Sequence, residues 1–346
     1  MIPDTRRLPY GFRENWRAGQ PFHADWYTVV LIRNIDQPQI DRTRCWLLNA
    51  PLTSTMQLHW TVSVRASCLH AAEALAHGQL VVDSALAEAI TEPAQELRKA
   101  INAASLPRAQ FWRNLVGLSV MVDGLSELAE RAVTKTVGTP RAASIARNLV
   151  ASIAGIESAV RRAFPNLLDE LSPRLLPLRE QWEVHGPLLL QGVARWTDPR
   201  AVVSEAQVVL VYPALGGGGA AHLPFNNVHI EAVLTNPVPE LPENLRLAWL
   251  LAQLGLDLPA FSDQILGPRL PDVAALAMVP VTLQAAQDAQ LVELHPETVD
   301  RALTAWQILT PTDVDPVDVL WRGWSTYLET RPRWDVALTA LDRMLG

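Results

Sequence analysis

Cysteine is scarce in this chain of 346 residues, and its scarcity limits the kinds of site that the protein can carry. The two cysteines, Cys45 and Cys68, cannot complete a four-ligand zinc site by themselves, and they lack the C-x-x-C spacing of metal or redox motifs. We therefore interpret both as small buried hydrophobic residues. Disulfides and structural metals are also unnecessary, because a chain of this length can bury a large apolar core.

Lysine is equally scarce. Lys99 and Lys135 are the only two lysines, and the formal net charge is -7. The sequence pI is near 5.6. A nucleic-acid-binding face needs clustered cations that displace phosphate counterions, and arginine pairs such as Arg161-Arg162 are too short to form one. The sequence therefore predicts no nucleic-acid partner.

Long apolar runs are also missing. No stretch approaches the roughly 20 continuous apolar residues of a membrane span. Residues 1–17 are polar and contain proline, and they lack the 7–15-residue apolar run of a secretory signal. We therefore expect no membrane association and a cytoplasmic location.

The hydrophobic pattern changes twice along the chain. Residues 27–33, 44–48 and 57–64 are rich in β-branched and aromatic residues and predict a small antiparallel meander. From about residue 84 to 181 the apolar period is close to 3.6. Stripes running from Phe111 to Leu128 and from Ile145 to Phe164 predict two packed helices, the second of which starts at Pro140 and ends at Pro165.

A second β-like region follows, with strands predicted at residues 188–195, 207–212 and 227–234. Helices are then predicted at 243–254, 272–291 and 296–309, with two more from 317 to the end. The fold class is therefore α+β and mostly helical, with a mixed or antiparallel sheet and a helical bundle layer. The segments are a β-rich part (1–82), a helical bundle (83–183) and a β-hairpin with C-terminal helices (184–346), within either one domain or two.

Four consecutive glycines, Gly216, Gly217, Gly218 and Gly219, form the least ordinary segment, because such a run loses much chain entropy on folding. The segment follows an apolar strand, as a phosphate-binding loop does. It leads into another strand, however, whereas phosphate and dinucleotide loops open a helix. A hairpin loop is the simpler interpretation, and a small-ligand loop is the alternative.

His229 and Glu231 are two positions apart on a predicted strand, so their side chains point to the same face. His222 lies nearby across the loop. Two imidazoles and a carboxylate can bind zinc and leave a fourth position open for water, with His295 as a possible further ligand. Polar side chains on one strand face are the alternative interpretation, since none of these residues has the i, i+4 spacing of a helical metal motif.

The order of elements between residues 207 and 254 resembles the core of zincin metallopeptidases. An apolar strand, a glycine-rich loop, a second strand and a helix follow one another. In that family the helix carries His-Glu-x-x-His, which supplies two zinc ligands and a general base. The corresponding segment here, 243–254, contains no histidine. The resemblance therefore implies a core without the metal motif and without catalytic residues, with Arg246 and Trp249 on the helix in place of the ligands.

These patterns favour a non-catalytic role in binding or assembly, with no cofactor and with a protein or a small molecule as the partner. Two alternatives remain open. One is a zinc-dependent hydrolase that uses His222, His229 and Glu231, and the other is a small-ligand binder that uses the glycine loop.

Overall fold

The computed structural model describes residues 56–140, 142–233, 238–310 and 313–346. The chain from Leu52 onward forms one compact unit. The described helices are α1 Val64–Ala76, α2 Ser84–Ala103, α3 Arg108–Leu118, α4 Leu125–Val137, α5 Ala142–Ala163, α6 Leu167–Trp196, α7 Glu243–Gln253, α8 Pro259–Ser262, α9 Leu270–Asp288, α10 Pro296–Ala305, α11 Pro316–Thr330 and α12 Trp334–Met344. The described strands are β1 Gln57–Val62, β2 Glu205–Val211, β3 Gly219–His222 and β4 Asn227–Glu231. The fold is therefore α+β and mostly helical, as predicted.

The four strands form one mixed sheet in the order β1-β2-β4-β3. β1 runs parallel to β2, with Gln57 opposite Glu205. β2 runs parallel to β4, and only β3 is antiparallel to its neighbour β4. The carboxyl ends of β1, β2 and β4 therefore meet at one edge of the sheet.

The two faces of the sheet differ in polarity because side chains alternate along each strand. One face carries Val209 and Val211 of β2, which pack with Ala66 of α1. Asn227, His229 and Glu231 of β4 lie on this same face, since Val209 pairs with His229 in the parallel register. The opposite face is apolar and includes β2 and β4 residues that are fully buried: Val208, Leu210, Val228 and Ile230.

Helices cover both faces. α1 and α3 pack on the polar face, and α6 and α7 pack on the apolar face. α2, α4 and α5 form a bundle outside α1 and α3, while α9 packs on α6 and α7 and carries the C-terminal helices. None of the helices in the described ranges has the length and apolarity that a membrane crossing requires.

Local sequence signals explain several helix boundaries. Ser63, Asp83 and Asp315 accept hydrogen bonds from first-turn amides of α1, α2 and α11, as N-cap residues do. Gly138, with φ 86°, ends α4. The predicted stripe of α5 is confirmed by its buried residues Leu149, Ile153, Ile156 and Val160.

Several sequence predictions are wrong. Residues 188–195 are the last part of α6, which contains three prolines, and they form no strand. The Phe111–Leu128 stripe belongs to two helices, because α3 ends at Leu118 and α4 begins at Leu125. The segment 207–234 is no simple hairpin, since β2 and β4 are parallel and β3 lies between them in sequence.

The predicted meander lies only partly within the described residues. Segments 27–33 and 44–48 fall outside them, as does Cys45, whereas 57–62 is a strand whose described neighbour β2 is parallel to it. α1 and α2 follow this strand, and α1 was not predicted. The predicted segment boundary at residue 184 falls inside α6.

Candidate functional site

The carboxylate of Glu231 is enclosed by the glycine-rich loop between β2 and β3. Its Oε1 accepts hydrogen bonds from the backbone amides of Ala214 and Leu215, at 2.9 and 2.7 Å. Its Oε2 accepts from the amides of Gly217 and Gly218, both at 2.9 Å. Four amide donors within five residues of one loop form an anion-binding concavity. The anion in that concavity is a side chain of the protein itself.

The glycines allow the loop to turn tightly enough for this arrangement. Gly216 and Gly217 have φ values of 80° and 143°, which residues with a Cβ rarely adopt. A Cβ on Gly217 would also lie 2.9 Å from the backbone oxygen of Ala305. The backbone conformation of the loop and the close approach of Ala305 therefore explain why glycines occupy this segment.

His70 on α1 provides a fifth contact to the same carboxylate. Its Nε2 lies 2.9 Å from Oε1 of Glu231, and both side chains are buried. Burial by itself would lower the pKa of His70, but the hydrogen bond and charge of Glu231 raise it. Burial would likewise raise the pKa of Glu231, but the bonds from His70 and the loop amides lower it to about 2. The two residues therefore form a buried ion pair.

His222 and His229 contact each other on the same face of the sheet. Their ring centroids are 4.4 Å apart and the ring planes meet at 66°. Both ring nitrogens of His229 and Nε2 of His222 are buried without a hydrogen-bond partner. Burial lowers the pKa of His222 to about 3 and the pKa of His229 well below its usual value, so both imidazoles are neutral.

Glu73 and Asn227 extend this polar cluster. Burial raises the pKa of Glu73 to about 7, although the nearby His70 and Arg113 oppose the shift. Nδ2 of Asn227 donates to the backbone oxygen of Gly117 in α3, at 2.9 Å. Polar groups from α1, α3 and β4 therefore meet within the interior of the protein.

Arg246 braces the loop from the other side. Its Nη1 donates to the backbone oxygen of Gly218 and its Nη2 to the backbone oxygen of Glu231, both at 2.7 Å. Nη2 also pairs with Glu243. Only 2% of Arg246 is exposed, so its bonds fix the loop and the end of β4 rather than presenting a charge to solvent.

Two other predicted residues lie in different surroundings. The indole nitrogen of Trp249 donates to the backbone oxygen of Ala275, and its ring stacks on Trp306. His295 caps α10 by accepting from the amide of Thr298. The contacts of both are explained by packing and capping.

The surroundings of Glu231 decide whether it can act as a zinc ligand. Its two oxygens already accept five bonds, which leaves no lone pair for an ion. Among the residues that the structure describes, no group of three or more His, Cys, Asp or Glu side chains is placed to hold a metal. The set His222, His229 and Glu231 therefore does not fit a three-ligand zinc site.

The sequence placed His229 and Glu231 on one strand face, and the structure agrees. The sequence pattern did not identify His70 as a member of this cluster. His70 lies 161 positions before Glu231, on a helix that was not predicted. A histidine in an apolar helix is usually a core residue, and only the tertiary contact reveals its partner. Cys68, on the same helix, is buried, and burial raises its pKa to about 12, as expected for a core thiol.

Comparisons with known proteins give no further assignment: no family model, no curated protein and no solved structure matches the chain.

Proposed function

We propose that the protein has a non-catalytic role in binding or assembly, and that the polar cluster around Glu231 stabilises its core. The observation that carries this proposal is the complete occupation of the Glu231 carboxylate by four loop amides and His70. A carboxylate used in this way is available neither as a general base nor as a metal ligand. The partner is a protein or a small molecule.

The kinship with zincin metallopeptidases belongs to this proposal. The helix that carries the metal motif in that family corresponds to α7, and Arg246 on α7 binds backbone oxygens of the loop and of β4. Under this interpretation, α7 corresponds to the helix that binds zinc in that family, and it carries Arg246, whose guanidinium binds the loop backbone instead.

Metal analysis of the full-length protein tests the proposal. The protein is purified without chelators and its metal content is measured by mass spectrometry. We expect a zinc content far below one ion per chain that is equal in the wild type and in His229→Ala. His59→Ala, which removes an exposed histidine on the same sheet face, controls for adventitious binding.

A zinc-dependent hydrolase is the second candidate, and one observation favours it. The three buried ring nitrogens of His222 and His229 have no partner, and neutral imidazole is the form that binds zinc. Near-stoichiometric zinc that disappears in His229→Ala and persists in His59→Ala would favour this candidate and overturn the first.

A further inference from the structure

We draw no further inference here: the strongest candidate, the solvent-exposed apolar stripe along α6 that carries Leu176, Val184 and Leu188, is a bare helix face, and nothing in the structure of the described residues shows what covers it.

Discussion

At the scale of single residues, the carboxylate of Glu231 links the glycine-rich loop to α1. Five donors surround its carboxylate, and its side chain is fully buried. Removing one partner of a buried ionic group leaves the other without compensation, which costs more than the pair contributes when intact.

Glu231→Gln should therefore strongly destabilise the fold. The substitution turns one acceptor oxygen into an NH2 group that faces amide donors and removes the charge that pairs with His70. We expect the free energy of unfolding to fall by about 3–5 kcal/mol, measured by urea denaturation. Glu205→Gln, at an exposed position on β2, should change it by less than about 0.5 kcal/mol. A loss below about 1 kcal/mol for Glu231→Gln would contradict the role given to this carboxylate.

Residue-scale prediction from sequence succeeded where the relevant spacing was local. The two-residue period of a strand placed His229 and Glu231 on one face. The occupant of the glycine loop could not be predicted, because Glu231 reaches the loop amides only after β4 pairs with both β2 and β3. A glycine-rich loop has the same sequence pattern whether its amides bind a side chain of the same protein or an external anion.

At the scale of elements, close contact between α6 and α9 depends on Gly192. A Cβ at this position would lie 2.6 Å from Cβ of Ala285 and 3.0 Å from its Cα. The second atom belongs to the backbone, so the helices themselves would have to separate. The small residues thus set the distance at which α9 packs behind the sheet.

Gly192→Ala should lower the free energy of unfolding by about 1–3 kcal/mol, because overpacking outweighs the gain in helix propensity. Gly155→Ala is the control within α5, where the nearest atom to a new Cβ is 4.0 Å away. We expect Gly155→Ala to be neutral or to stabilise by up to about 1 kcal/mol. Thermal denaturation of both variants measures the contrast, and equal effects would show that Gly192 does not limit the packing.

The wrong element predictions share a physical cause. Residues 188–195 form an apolar run that suits either a buried strand or a buried helix, and periodicity cannot separate the two. Proline usually interrupts a helix, yet α6 continues through Pro173, Pro177 and Pro187. Tertiary packing against α7 and α9 overrides the local preference. Longer amphipathic segments such as α5 were predicted correctly because their apolar stripe spans many turns.

At the scale of the whole molecule, the buried histidines make stability depend on pH. His222 and His229 have lowered pKa values, so the unfolded chain binds protons that the folded protein does not. The stability that these neutral imidazoles contribute is fully present above about pH 6.5, and it is lost as the pH falls toward their lowered pKa values. Glu73, whose pKa is raised to about 7, acts in the opposite sense between about pH 4.5 and 7.

His222→Gln isolates one of these contributions. The difference in unfolding free energy, wild type minus variant, should fall by about 1.4 kcal/mol per pH unit from about pH 6 to pH 4. The pKa of about 3 in the folded protein sets the lower end of this window. Urea denaturation followed by tryptophan fluorescence at several pH values measures the difference. A difference for His222→Gln that does not vary with pH would contradict the assignment.

The order of the strands also determines how the chain reaches its native state. Gln57 pairs with Glu205, 148 positions later, and the helices α1 to α6 lie between the two strands. Because contacts this distant in sequence form late, refolding should be slow compared with that of a helical bundle of similar stability. During synthesis, β1 leaves the ribosome long before its partner exists. The strand must therefore wait for β2, and α6, which packs on β1, is synthesised before that partner.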